Sequence, residues 1–258
     1  MDIYISSAIK NDLKETIKIA NELKVNIEIN KFYYPEILEE NPEKTLNEYA
    51  AMLKDFDGKI SMHGPYKDLN PVSTDPKIRD ASIYRYNQIL NAAKKLNAGV
   101  IVFHTKYDGF GMNPFYIENF IENEIIFWSE FIKRFEDSGI TVVLENTYEQ
   151  IPDIICAVLE GVNSKYLKAC IDTGHVNLIS SLNIAAWIEK IGKNLHHMHV
   201  HNNYGIYDEH NSILEGNLDF GEIIKTLKEN NLNPNLVVEI FKPKPALESM
   251  EFIKACLG

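Results

Sequence analysis

Eight short runs of mostly apolar, often β-branched residues recur along the chain, and longer segments with helical periodicity lie between them. The runs begin at Ile3, Val25, Lys59, Gly99, Ile140, Lys168, Leu195 and Asn235. This alternation predicts an α/β fold of the (β/α)8 TIM barrel type. Residues 1–258 are expected to form this barrel as a single domain. A doubly wound open sheet is the alternative. It more often has a glycine-rich phosphate loop after its first strand, and the run from Ile3 is followed by none.

Several of the intervening segments have a clear helical pattern. In the segment from Pro76, apolar residues at helical spacing share one face. That face consists of Ile83, Tyr86, Ile89, Leu90 and Ala93. A second helix is predicted from Pro114 to a C-cap at Gly139, and a third begins near Asp219. The connection at 30–44 is polar and contains prolines, so we predict a loop that could border an active site.

The net charge and the cysteines limit the classes of function. The formal charge is -11, whereas surfaces that bind nucleic acid are usually basic, so a nucleic-acid partner is not expected. The first residues lack the basic start of a signal peptide and no apolar stretch has the length of a bilayer span, so we expect a cytoplasmic protein without membrane contact. Cys156, Cys170 and Cys256 form no C-x-x-C pattern, so we expect no disulfides and no cysteine ligands to zinc.

Six consecutive predicted strands carry histidine or carboxylate side chains near their carboxyl ends. These residues are His63, His104, Glu145, Asp172, His199 together with His201, and Glu239. The following loops add His175, Asp208 and His210. Since the carboxyl ends of barrel strands meet at one mouth, the side chains are expected to converge. Mixed imidazole and carboxylate ligands suit zinc, manganese, iron or cobalt, and a cation would compensate the clustered negative charge. The pattern predicts a divalent metal site.

Each of these residues also has a structural explanation when it is taken alone. A single histidine after a strand is more often a hydrogen-bonded loop residue, and Asp172 could cap a following helix. His197 shares a strand face with His199 and is expected to be a hydrogen-bonded residue of the barrel interior. His196 is expected on the opposite face, packed under a helix.

Several segments resemble the xylose isomerase-like barrel superfamily, which includes endonuclease IV and many sugar isomerases and epimerases. They are "MHGPY", "FHTKY", "LENT", "IDTGH", "MHVHNN", "DEH" and "VVEIF", within roughly residues 60–240. By resemblance to endonuclease IV, which holds three zinc ions, the ligands are His63, His104, Glu145, Asp172, His175, His199, Asp208, His210 and Glu239. By resemblance to the epimerases, which hold one manganese or cobalt ion, they are Glu145, Asp172, His199 or His201, and Glu239. The resemblance thus implies one to three divalent ions per chain.

The resemblance favours a metal-dependent isomerase or epimerase that acts on a small sugar or sugar phosphate. Glu145 and Glu239 are expected to flank the substrate carbon as proton donor and acceptor. Substrate contacts are expected from Tyr66, Lys106, Asn146, His201, Asn202 and Lys242. Assembly into a homo-oligomer stays open.

Two alternative functions remain at this stage. One is an endonuclease IV-like zinc phosphodiesterase that acts on abasic DNA. The connection at 30–44 is acidic and lacks the arginines of the DNA-inserting loop of that enzyme, which disfavours this alternative. The other is a non-catalytic metal-binding barrel.

Overall fold

The eight strands form a closed parallel barrel in sequence order, with β1 paired to both β2 and β8. A computed structural model of the chain describes residues 1–10, 12–109 and 112–258. The strands are β1 (Ile3–Ser6), β2 (Asn26–Ile29), β3 (Ile60–His63), β4 (Val100–His104), β5 (Thr141–Glu145), β6 (Leu167–Asp172), β7 (Leu195–Val200) and β8 (Asn235–Val238). Each strand lies within or overlaps one of the predicted runs, so the predicted fold class is confirmed.

Helices connect successive strands on the outside of the barrel. They are α1 (Leu13–Leu23), α2 (Pro35–Glu40), α3 (Pro42–Leu53), α4 (Pro76–Leu96), α5 (Pro114–Phe131), α6 (Lys133–Glu136), α7 (Asp153–Val162), α8 (Thr173–Ile179), α9 (Ile184–Ile191), α10 (Phe220–Glu229) and α11 (Pro243–Leu257). Short 3-10 turns occupy Ser7–Ile9, Lys31–Tyr33 and Gly192–Asn194. In the described ranges, no helix combines the length and the apolar character that a membrane crossing requires.

Two predictions about the connections need correction. The helix from Pro114 ends at Phe131, and the chain continues through the short helix α6. Gly139 has the left-handed φ of 69° that a C-cap glycine adopts, but it lies three residues beyond α6. The connection at 30–44 is largely helical rather than a loop, because Pro35 and Pro42 stand in the first turns of α2 and α3, where proline is favoured.

The barrel interior changes from apolar to ionisable along β4, β5 and β6. Val102, Val143 and Cys170 are fully buried in a small interior cluster. Two residues further along the same strands stand His104, Glu145 and Asp172. Because residues two apart in a strand point to the same side, these three side chains also enter the barrel, at its carboxyl end. The fold thus places ionisable groups directly above an apolar layer.

Candidate metal centre and active site

The strand register places candidate side chains of neighbouring strands at matching heights in two pairs. His104 of β4 is paired with Glu145 of β5, and Asp172 of β6 is paired with His199 of β7. Glu145, Asp172 and His199 are each 1 % exposed or less. The predicted convergence at the carboxyl mouth therefore rests on strand pairing.

Glu145 lies at the centre of an inner group of imidazoles. Its Oε2 is 3.3 Å from Nε2 of His63 and 3.5 Å from Nε2 of His104. Its Oε1 is 3.3 Å from Nδ1 of His199. That same nitrogen lies 3.2 Å from Oε2 of Glu239 and 3.9 Å from Oδ2 of Asp172. Nδ1 of His199 is thus approached by three carboxylates at the carboxyl ends of three different strands.

An outer group is formed by side chains that follow β6 and β7, from helix α8 and from the loop after β7. Oδ2 of Asp208 lies 2.9 Å from Nε2 of His210 and 3.5 Å from Nε2 of His175. Asp172 links this group to the inner one, because its Oδ2 is 3.0 Å from Nε2 of His201. The rings of His201 and His210 stack with centroids 3.9 Å apart. His199 therefore belongs to the inner group and His201 to the outer group.

Backbone carbonyls orient three of these imidazoles. Nδ1 of His63, His175 and His210 lies 2.8 Å from the carbonyl oxygen of Gly64, Asn146 and Glu239, respectively. A ring N–H that donates to a carbonyl fixes the tautomer and leaves Nε2 available as a ligand. In each case Nε2 faces a carboxylate, of Glu145 for His63 and of Asp208 for His175 and His210.

The chemistry of the donor set fits a divalent cation. Nδ1 of His199, Nδ1 of His201 and Oε2 of Glu145 form no hydrogen bond with any of the described residues, although all three atoms are buried. Asp172, His199 and Glu239 each offer a ligand atom within 4.8 Å of the others. Buried polar atoms are normally satisfied, so atoms that converge without partners indicate a missing ligand such as a metal ion.

Two of the pKa shifts at the site, those of Glu145 and His104, agree with this interpretation. Burial alone would raise the pKa of the Glu145 carboxyl, but its interactions with the neighbouring imidazoles, that of His199 above all, outweigh burial and hold that pKa well below its usual range. Burial lowers the pKa of His104 well below its ordinary value, although Glu145 opposes the shift. The site thus offers an ionised carboxylate and a neutral imidazole, the forms that bind metals.

Two of the predicted substrate-binding residues border an open cavity beside the candidate metal ligands. The cavity has a volume of about 460 Å³, and Tyr66, His104, Lys106, His175 and Asp208 are part of its wall. The ring of Tyr66 stacks on that of His104 at 4.5 Å, and Nζ of Lys106 donates to the Tyr66 carbonyl at 2.5 Å. Burial lowers the pKa of Lys106 to about 8.

None of the other four predicted substrate contacts lines this cavity, and their roles stay predictions. The side-chain amide of Asn146 bonds the backbone N–H and carbonyl of Asp172, so it is already used. Asn202 is 1 % exposed and holds the loop that follows β7. His201 is fully buried against Asp172. Lys242 is exposed at the N-cap of α11, where its ammonium has no hydrogen bond or ion pair with the described part of the chain.

Three residues near the site were not predicted. Glu28 of β2 is fully buried in the barrel interior, 3.0 Å from Nε2 of His199. The ring of Tyr33 lies edge-on to His63 at 5.8 Å. Glu149 accepts a hydrogen bond from the backbone N–H of residue 147 at 2.7 Å, and burial raises its pKa to about 6. The only sequence signal for Glu28 was an acidic residue inside a short apolar strand.

The structure agrees with the prediction for His197 but not with the prediction for His196. Nε2 of His197 lies 3.1 Å from Glu28, and Nδ1 lies 3.2 Å from the amide of Asn235, as expected for a satisfied interior residue. His196 does not pack under a helix. The pairing of β6 with β7 is irregular between Ala169 and Cys170, and His196 lines a cavity at the amino end of the barrel. A register irregularity breaks strict alternation, which explains the wrong prediction.

Comparison with known proteins agrees with this geometry. A family model described as "Xylose isomerase-like TIM barrel" matches residues 25–256. An uncharacterized protein of Methanocaldococcus jannaschii is 30% identical over 219 residues, which cover 81% of this chain and 74% of that protein. The crystal structure of a D-tagatose 3-epimerase-like protein has a TM-score of 0.84 and 26% identity, covering 100% of this chain and 97% of the other. A Thermus thermophilus protein soaked with zinc chloride has a TM-score of 0.81 and 24% identity, covering 99% and 98%. With its family model matched over nearly the whole barrel, the chain belongs to the xylose isomerase-like TIM barrel family.

Proposed function

We propose that the protein is a divalent-metal-dependent isomerase or epimerase that acts on a small sugar or sugar phosphate. The observation that carries the proposal is the approach of Glu145 and Glu239, from β5 and from the end of β8, to the same nitrogen of His199 at 3.3 and 3.2 Å. The structural similarity to a D-tagatose 3-epimerase-like protein at 26% identity supports the same class of reaction.

In this proposal Glu145, Asp172, His199 and Glu239 hold the ion. A divalent cation supplies polarisation of a sugar carbonyl and of its neighbouring hydroxyl, which makes the adjacent C–H bond more acidic. The inner group offers two carboxylates close to the same nitrogen of His199, and an epimerase needs a proton acceptor on one face of the carbon and a donor on the other. Glu145 is the more enclosed of the two, since its side chain is 2% exposed and that of Glu239 is 12% exposed.

The open cavity supplies the remaining functions. Tyr66 and Lys106 form part of its wall beside His104, so they are placed to bind sugar hydroxyls. Tyr66 offers a flat apolar face and a hydroxyl. Burial lowers the pKa of Lys106 to about 8, and its amino group offers a hydrogen-bond donor in the cavity wall.

The test is epimerisation of ketohexoses, D-tagatose among them, by protein loaded with Mn²⁺ or Co²⁺ in deuterium oxide. We expect deuterium at the epimerised carbon, because the carboxylates exchange protons with solvent. Glu145→Gln and Glu239→Gln should each lower turnover by about 10²–10⁴-fold, the usual contribution of a general acid or base. Glu251→Gln, on the exposed side of α11, is the matched control. Near-normal turnover by either site variant would refute the assigned roles.

The outer group favours a second candidate, a zinc phosphodiesterase of the endonuclease IV type. His175, His201, Asp208 and His210 supply ligand atoms for further ions beside the first. Elemental analysis distinguishes the candidates, because several zinc ions per chain with cleavage of an abasic-site duplex would support the phosphodiesterase. One ion per chain without cleavage would support the epimerase. The charge of -11 disfavours DNA as a partner.

A further inference from the structure

Glu28 is a buried carboxylate below the proposed ion site. It lies in β2 and is fully buried. It contacts His197 and His199 of β7, which follow it in the sequence by 169 and 171 residues. A buried carboxylate is costly unless hydrogen bonds or cations compensate it. The groups that contact the two oxygens of Glu28 therefore indicate its role.

One carboxylate oxygen of Glu28 is held by two fixed donors. Oγ of Ser61 donates to Oε2 at 2.9 Å, and Nε2 of His197 lies 3.1 Å from the same atom. The amide Nδ2 of Asn235 lies 3.2 Å from Nδ1 of His197. With Asn235 as the donor in that contact, His197 carries its proton on Nε2 and donates it to Glu28. These bonds fix the position of the carboxylate.

The other oxygen of Glu28 faces His199. Oε1 lies 3.0 Å from Nε2 of His199, and neither atom has another hydrogen-bond partner in the described ranges. The N–H direction is not aligned at this ring angle, but two buried polar atoms at this distance and without competitors are expected to bond.

This contact decides which nitrogen of His199 is a ligand. A proton on Nε2, donated to Glu28, leaves the lone pair on Nδ1, the atom that lies 3.3 Å from Glu145 and 3.2 Å from Glu239. Because the ligand nitrogen of a metal site must be unprotonated, the carboxylate selects the binding tautomer. We propose that Glu28 is a positioning residue that holds His199 in the tautomer and orientation required to bind the ion. This inference rests on the metal site of the proposed function.

The test measures Zn²⁺ affinity by competition with a chromophoric chelator, and the visible spectrum of the Co²⁺-loaded protein. Glu28→Gln and Glu28→Asp should weaken Zn²⁺ binding by about 10–100-fold, the usual effect of losing such a partner, and should change the Co²⁺ bands. Glu28→Asp keeps the buried charge but shortens the side chain, which covers the case in which Glu28→Gln does not fold. Glu124→Gln is the matched control, since Glu124 is also a buried glutamate but bonds Trp128 of its own helix.

A double-mutant cycle shows whether Glu28 acts through His199. The effect of Glu28→Gln, or of Glu28→Asp, should vanish when His199→Ala is already present, because the positioned ligand is then absent. An undiminished effect in that background overturns the inference, and so does an affinity within twofold of the wild-type value for both Glu28 variants. A wild-type chain that binds no Zn²⁺ or Co²⁺ contradicts the proposed function itself, which separates the two failures.

Discussion

Glu124 makes the folding stability of this protein dependent on pH in a calculable way. It lies on α5, is 1 % exposed, and its Oε2 accepts a hydrogen bond from Nε1 of Trp128 at 2.8 Å, whereas Oε1 has no partner among the described residues. Burial raises its pKa from 4.5 to about 8, a shift that the Trp128 bond only partly opposes. The native state therefore keeps a proton that the unfolded chain releases.

The sign and size of this pH dependence follow from the difference in proton binding between the folded and the unfolded chain. Below pH 4.5 both states are protonated and the native state has its full stability. Between pH 4.5 and about 8 only the unfolded chain releases the proton, so the free energy of unfolding falls by about 1.4 kcal/mol per pH unit. The total loss is about 5 kcal/mol, and above pH 8 no more is lost. A glutamine at position 124 cannot ionise and can still accept from Trp128, so Glu124→Gln should escape this loss.

The assay is urea unfolding followed by circular dichroism at several pH values from 5 to 8, for the wild type and Glu124→Gln. The stability difference between the two should grow steadily in favour of the variant as the pH rises. Glu122→Gln, an exposed position on the same helix, should follow the wild-type curve. Parallel curves for wild type and Glu124→Gln would refute the reasoning, because they would mean that Glu124 ionises equally in both states.

Two further substitutions test how the site is supported. In Gly174→Ala the new Cβ would overlap Cε1 of His201 and lie 2.6 Å from its Nδ1, so Zn²⁺ affinity should fall by at least about tenfold, as for a lost supporting contact. Gly99→Ala, where no heavy atom lies within 4 Å, should leave it unchanged. Asn202→Ala removes four hydrogen bonds that hold the loop after β7, so we expect a loss of about 2–4 kcal/mol in urea unfolding and faster limited proteolysis in that loop. Unchanged proteolysis would mean that the loop is held by other contacts.

The barrel and the mouth residues could be predicted because both depend on local patterns. Strands buried on both sides appear as short apolar runs, and the eight runs leave few alternatives to a closed barrel. Once the strands are parallel, any residue at a carboxyl end must lie at the same mouth. This is why Glu145, Asp172 and His199 could be grouped from the sequence, although their distances could not.

The missed features depend on contacts between distant parts of the chain. The run around Glu28 reads as an ordinary strand, and its contact with His199 forms across the barrel between two strands that are not neighbours. His196 was misplaced because the register irregularity between β6 and β7 leaves no mark in the sequence. The connection at 30–44 was predicted as a loop because its prolines suggested turns, whereas they begin helices.

The group that orients each histidine differs with the depth at which that histidine lies in the barrel. The carbonyls that hold Nδ1 of His63, His175 and His210 belong to Gly64, Asn146 and Glu239. Each of these three acceptors is the first residue after a strand, beyond the end of its element.

His199 lies inside β7, where the backbone carbonyls are used by the parallel ladder. A side chain must therefore supply the acceptor, and Glu28 does so from β2. The orientation is then reversed, because Nε2 faces the supporting carboxylate and Nδ1 faces the ion site. The proposed ligand His199, deep in the barrel, thus has a buried carboxylate as its support, whereas the proposed ligands at the rim use carbonyls of residues just beyond the strand ends.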